Sequence, residues 1–442
     1  MLEAVSKIIW GAPLITVIFA LGLYLTVKLK FIQIRKLKDG IRLLLRKPEG
    51  SGSISAFASL ATSLAAMIGT GNIVGVATAV SIGGAGAIFW MIVAAFFGMS
   101  ISYMEGYFAI KYREVKKDGK VLGGAFMYIE KGLGSKTLAK IFAAFTILSA
   151  LLGIGTMTQS NSIAEAFCDL YKFRGNALAV AVVVTLLAGF ILKGGIERVS
   201  GVSTVVVPVM GLVYVLGTLA VLFVYRSEIP NAVMRILGSA LDFKAILGGG
   251  GGIAIRMGVS RGIFSNEAGL GSSSIASAAA KTESGENQGL CTMVGTWIDT
   301  ILLCTMTGLA IVVTGSDKSG LTGVALTNYA YNAALPVLGK LIVSTSLILF
   351  SFASIIGWSY YGEQSTEYLF GARKIKLYRV IYLLGVFMGP FLKISVVWTV
   401  ADILNGLMAI PNLIALFFLS KKFFVKKRGK CKKNAYYNNR EV

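Results

Sequence analysis

The sequence predicts an all-α polytopic membrane protein, and three observations carry that prediction. Of 442 residues, 55% are hydrophobic and 14% charged, with mean hydropathy +0.74, whereas soluble domains run near a quarter charged. Apolar runs of membrane length recur along the whole chain, about eleven of them. Short basic blocks separate them, and alternating the runs puts every strongly basic block on one side.

The runs lie near 8–28, 57–80, 86–110, 138–168, 176–193, 201–225, 250–281, 288–314, 336–362, 377–393 and 396–420. The first has no basic leader and no small-residue cleavage site, so it reads as a retained helix rather than a signal peptide. A basic linker follows, with Lys28, Lys30, Arg35, Lys36, Lys38, Arg42, Arg46 and Lys47. Lys111, Arg113, Lys116, Lys117 and Lys120 form a second block, and the tail from Lys421 to Lys433 is the densest. Placing these inside sets the N-terminus outside and the C-terminus in the cytoplasm.

Two connecting segments are semi-apolar. Residues 226–246 mix charges with Val, Met, Ile and Leu at helical spacing, which suits an amphipathic helix on the outer surface or a plain loop. Gly123 to Gly134 suits a segment lying along the cytoplasmic interface.

The net charge of +22 has no soluble domain to serve, so its placement points to positive-inside topology and anionic lipid headgroups rather than nucleic acid. Cys168, Cys291, Cys304 and Cys431 show no metal or redox spacing, and histidine is absent. There is no P-loop, and the serine-rich runs lack a histidine partner. The sequence therefore predicts no enzyme, and active transport would have to draw on an ion gradient.

Two spans are interrupted by polar, glycine-rich text. The second contains Gly69, Thr70, Gly71 and Asn72; the seventh contains Gly262 to Ser274, with Ser265, Asn266, Glu267, Gly269 and Gly271. Glycine costs about 1 kcal/mol against alanine in a helix. Gly71 and Gly75 alone equally permit a close helix contact. Thr70 and Asn72 add polar groups that lipid does not tolerate unless they face a cavity. An unwound turn there exposes amides at the start of a half-helix, suited to a carboxylate, while the carbonyls of Ala65 and Ile68 face the other way, toward a small cation. The two interruptions stand five spans apart. An odd spacing inverts one five-helix unit relative to the other, the signature of transporters with a central site.

Other spans bring polar groups to depth. Gln159, Ser162 and Ile163 share a helical face, while Asn161 points elsewhere and suits a tie between helices. Ser351, Ser354 and Trp358 lie in the ninth span, and Phe264 at the second interruption suits a cover over a solute. Asp299 is an ionisable group inside the eighth span, open to a functional or a structural pairing role. Asn72, Asn266 and Glu267 are further functional candidates. Glu105 and Glu363 fall near cytoplasmic helix ends and suit solvated gating contacts.

Several stretches together resemble the alanine-or-glycine:cation symporter family: GTGNIVGVATAVSIGGAGAIFWM (69–91), MEGYFAIKYR (104–113), GGAFMYIEKGLG (123–134), QSNSIAEAF (159–167), RGIFSNEAGLGSS (261–273) and IIGWSYYGEQSTEYLFG (355–371). The likeness runs from about 50 to 420 in unbroken order. It implies a leucine-transporter-type fold, with one extra helix and basic linker (1–50), repeats at 51–226 and 227–420, and a basic tail at 421–442. It further implies Na⁺-coupled uptake of alanine or glycine through the plasma membrane of a prokaryote. Carried over, Thr70 and Gly71 hold the substrate carboxylate, and Gln159, Phe264, Ser354 and Trp358 line the pocket. Sodium lies between the carbonyls of Ala65 and Ile68 and the ninth span at Ala353 and Ser354. This chain departs from the family pattern at Ala85 and Ala125, where prolines are usual, and at Ala353, where a hydroxyl is expected near the ion.

The reading is thus a sodium symporter for small neutral amino acids, working by alternating access. A proton-coupled carrier using Asp299 or Glu267 is the alternative within the class. A membrane receptor or scaffold that retains the fold is the alternative outside it.

Overall fold

The computed structural model describes residues 2–47, 50–117, 119–171, 177–241, 250–282 and 284–438. Among them, seven helices are long and apolar enough to cross a membrane: Leu2–Lys28, Gly86–Tyr112, Lys136–Leu170, Gly195–Val224, Gly285–Val313, Leu338–Phe370 and Ser395–Val425. The pair Ala56–Met67 and Gly71–Gly83, bent by 53°, makes an eighth. Three expected runs form helices shorter than the ~20 residues of a straight crossing: Ala177–Leu192, Gly250–Asn266 followed by Ser273–Ala278, and Ile375–Met388. Glycine and proline set the limits of the last two. The seventh run breaks at left-handed Glu267, Gly269 and Gly271, and the tenth passes into a tight turn at Gly389–Phe391.

The Gly86–Tyr112 helix is the central post. It packs along Gly285–Thr296 and Gly250–Asn266, with the half-helix Ser273–Ala278 against the same post. Small residues permit this contact: a Cβ added at Gly289 would stand 2.6 Å from the Tyr103 carbonyl oxygen. At the periphery, Leu178, Val183, Leu186, Leu187 and Phe190 of Ala177–Leu192 are exposed. That apolar face fits hydrocarbon rather than water.

The outer segment is helical at Ile229–Ala240 and buries Ala232, Ile236 and Ala240, one face of a helix. Arg235 on this helix pairs with Asp317. Its expected continuation over 242–246 lies outside the described residues, as do the side chain of Cys431 and the other tail side chains beyond Val425. The inner segment differs from the interfacial position expected of it. After a two-stranded hairpin (Glu114–Val115 with Val121–Leu122), Ala125 to Ile129 are all buried. Gly124, at φ 133°, brings the chain against Ile275 of the second half-helix, so the segment is packed into the protein.

Candidate functional site

The first interruption starts where the Ala56–Met67 helix stops. Ile68 is extended (ψ 95°), and the amide of Gly69 donates to Asn72 Oδ1 at 3.0 Å. A continuous helix would have closed that amide on Ala65, whose carbonyl thereby loses its regular partner. The Ile68 carbonyl accepts from Ser354 Oγ at 3.3 Å. Ala353 is fully buried beside Ser354, and its methyl offers no ligand atom, leaving only backbone there.

Thr70 begins the second half of this helix. Its amide donates to Gln159 Oε1 at 3.3 Å, and Gln159 Nε2 is held by the Ile154 carbonyl at 3.0 Å. The Thr70 hydroxyl is fully buried and has no partner among the described residues. Burying such a group unpaired costs about 1–3 kcal/mol. Gly69 presses on the same neighbours, since an added Cβ would lie 2.3 Å from Ser354 Oγ and 3.2 Å from the Gln159 amide. The Ser351 and Ser162 hydroxyls are likewise buried without a partner among the described residues.

The second interruption is built differently. Gly269 (φ 88°) and Gly271 (φ 82°) take left-handed backbone that a side chain rarely allows. Their amides both donate to Glu105 Oε1 at 3.1 Å, and Asn412 Nδ2 donates to the same oxygen at 2.7 Å and to the Gly269 carbonyl at 2.9 Å. Tyr128 donates its hydroxyl to Asn412 Oδ1. Asn266 Oδ1 accepts the Ala268 amide at 2.9 Å, and Glu267 accepts the Ser272 hydroxyl at 2.6 Å.

The two interruptions meet. A Cβ on Gly71 would stand 3.0 Å from Ser265 Cα. Asp299 joins them: it accepts from Asn72 Nδ2 at 2.8 Å, from Ser265 Oγ at 2.8 Å and from Thr300 Oγ1 at 2.7 Å. Asn266 Nδ2 completes the chain by donating to Thr300 Oγ1 at 3.0 Å. The structural pairing left open for Asp299 is therefore present, and its partners are the interruptions themselves.

Phe264 is not among these contacts. It stacks on Trp398, centroids 4.9 Å apart at 23°, with the Arg261 guanidinium 5.3 Å above it. Arg261 pairs with Asp402 of the last span. Toward the basic side a second closure ties the ends of the two broken spans. Arg113 donates to the carbonyls of Ala278 (2.7 Å), Ala280 (2.6 Å), Thr282 (2.6 Å) and Ser51 (2.7 Å). Ser53 and Lys281 amides add bonds to Ala279 and Ile54. With Thr70, Gln159, Ser265, Ser354 and Trp358 at most 1% exposed, this conformation is shut toward both faces.

Asn161 fits its expected role as a tie, donating to the carbonyls of Gly389 at 2.9 Å and Leu392 at 2.8 Å. Two expectations change. Glu105 is fully buried, two turns inside a helix that continues to Tyr112, and binds the second interruption rather than solvent. Glu363 is also buried, in a two-pronged pair with Arg379 at 2.6 and 2.9 Å. Asn412, Arg113 and the Arg261–Asp402 pair were not singled out from sequence. The one signal for Asn412 is its position beside Pro411 in an otherwise apolar run.

Comparison with known proteins bears on the family and the fold. A family model described as the sodium:alanine symporter family matches residues 1–439. An uncharacterized transporter of Haemophilus influenzae is 48% identical, over 95% of this chain and 93% of its own. The sodium/alanine symporter AgcS of Methanococcus maripaludis is 43% identical (95% and 94% covered), and the probable sodium/glutamine symporter GlnT of Bacillus subtilis is 36% identical (95% and 88%). Among solved structures, MhsT in complex with L-phenylalanine superposes with TM-score 0.61 at 14% identity, covering 83% of this chain and 89% of that one. That likeness concerns the fold, which is of the leucine-transporter type.

Proposed function

This chain belongs to the sodium:alanine symporter family, and we propose that it imports small neutral amino acids, alanine or glycine, together with Na⁺. One observation carries the reading: the Thr70 hydroxyl is buried and unpartnered at a helix break, beside Gln159 and Ser354. A substrate carboxylate at Thr70 and Gly71 would satisfy that hydroxyl and lie at the positive end of the half-helix. Sodium would take the Ala65 and Ile68 carbonyls, with the Ala353 carbonyl and the Ser354 hydroxyl across from them. Oxygen ligands without a resident charge suit a weakly held monovalent ion.

In this reading the units 51–226 and 227–420 move against one another, with the N-terminus outside and the C-terminus cytoplasmic. Phe264 and Trp358 limit the pocket to short side chains. The Arg113 clamp opens on the basic side, and the Arg261–Asp402 pair, with the Phe264–Trp398 stack, opens on the other. Uptake of labelled alanine into proteoliposomes is expected to require external Na⁺ and to fail when choline replaces it at fixed pH. Equal uptake in choline that follows an imposed pH gradient would support the second reading, proton coupling, for which the fully buried ionisable side chain of Glu267 is the supporting observation.

A further inference from the structure

The strongest feature outside the transport site is a cavity of about 990 Å³ beside the first basic linker. It lies where the Ala12–Lys28 helix ends, bordered by the linker helices Ile32–Arg35 and Leu37–Leu43, by the start of Gly285–Thr296 and by Phe424 of the last span. Six cationic side chains line it, Lys28, Lys30, Arg35, Lys36, Arg42 and Arg46, against the carboxylates of Asp39 and Glu286. Lys36 is engaged by Asp39 at 2.6 Å, and Arg35 donates to the Lys30 carbonyl at 3.3 Å. Lys28, Lys30, Arg42 and Arg46 make no ion pair among the described residues.

We propose that this cavity binds the headgroup of an anionic phospholipid, with the phosphate among Lys28, Lys30, Arg42 and Arg46. Two features favour a lipid over a phosphate ion from solution. Leu29, Leu290 and Phe424 give the cavity an apolar wall that a free ion does not need. The linker exposes Val27, Phe31, Ile34 and Leu45 beside its cations, by 55, 46, 67 and 85%, which fits a segment seated at the boundary between headgroups and acyl chains. Lys30 and Phe31 both adopt left-handed backbone (φ 56° and 55°). Such a conformation persists in bulky residues only where the surroundings enforce it, and here it turns the chain from the membrane helix into the linker. The charge balance selects the anionic class of headgroup, since each basic side chain near a membrane surface adds an attraction that a zwitterionic lipid does not repay.

The test uses the full chain, purified in a non-ionic detergent, and reads retained lipid by native mass spectrometry. Phosphatidylglycerol is compared with phosphatidylcholine of the same acyl chains, each in the presence and absence of inorganic phosphate. One phosphatidylglycerol is expected to stay bound under conditions that strip phosphatidylcholine, and phosphate is expected not to displace it. Arg42→Gln with Arg46→Gln lowers retention on the order of tenfold, while Lys421→Gln with Lys422→Gln, charges elsewhere on the basic side, leaves it unchanged. If the first pair fails to fold, Lys28→Gln with Lys30→Gln reads the same loss. Equal retention of the two lipids, displacement by phosphate, or full retention in the folded variants overturns the proposal.

Discussion

The two interrupted spans are built from the same materials and finished differently. At the second, the freed amides of Gly269 and Gly271 close on the protein's own carboxylate, Glu105, with Asn412 bridging the remaining carbonyl. At the first, the freed amides of Gly69 and Thr70 close on the side-chain oxygens of Asn72 and Gln159, and the Thr70 hydroxyl is left without a partner among the described residues. A broken helix in lipid must satisfy its polar groups within the protein. One break is closed by a carboxylate of the protein itself, while the other leaves a buried hydroxyl open, where the proposed substrate carboxylate would bind. Glu105 shows, inside the same molecule, the chemistry proposed for the substrate at Thr70.

The comparison can be broken most severely where the two breaks share a residue. Asp299→Asn puts an amide N–H against the donors from Asn72, Ser265 and Thr300, so both breaks suffer together. Leaving such buried donors unpaired costs about 3 kcal/mol, and uptake is expected to fall on the order of 100-fold, as measured in proteoliposomes. Full uptake would mean that the breaks do not work as one unit.

Glu105→Gln strikes the second break alone. Its effect is expected mainly in stability, about 1–3 kcal/mol, seen as a lower melting temperature in detergent. Preference for substrates bearing a carboxylate should survive in the folded fraction, and its loss would erase the distinction drawn between the breaks.

Thr70→Ala strikes the first break alone and should do the reverse. The half-saturating alanine concentration is expected to rise about tenfold, the value of one hydrogen bond to a charged group. The melting temperature should not fall, because the hydroxyl has no partner among the described residues and its removal relieves an unpaired buried group. Thr70→Ser should restore uptake. The smallest effect is expected from Arg113→Lys, which keeps the charge but offers a compact ammonium to four carbonyls at the basic-side closure. Uptake is expected to fall by about threefold.

Both breaks were legible in the sequence, because glycines and polar side chains together inside apolar text are hard to reconcile with an unbroken helix in lipid. The approach of Thr70, Gln159 and Ser354 was legible through the family resemblance, not through spacing. What finishes each break was not. Glu105 lies 164 residues from Gly269, and a carboxylate near the end of an apolar run reads as interfacial when the run is judged by hydropathy. The helix in fact continues two turns beyond it, to Tyr112, and carries it inside. Asp299 could be marked as an ionisable group at depth, but its partners come from two other spans. Arg113 was one cation in a basic block; only the fold turns it toward four carbonyls. The shortness of the helices in the seventh and tenth runs was hidden for a related reason. Hydropathy registers apolar text but not the left-handed residues and tight turns that end a helix early.

The most direct test of the central claim is equilibrium binding to the purified protein, comparing alanine with alaninamide in Na⁺ and in choline. Alanine is expected to bind in Na⁺ only, alaninamide in neither, and Thr70→Ala to weaken alanine while Glu105→Gln keeps the discrimination. Binding of alaninamide as tight as that of alanine, or binding of alanine undiminished in choline, would contradict it.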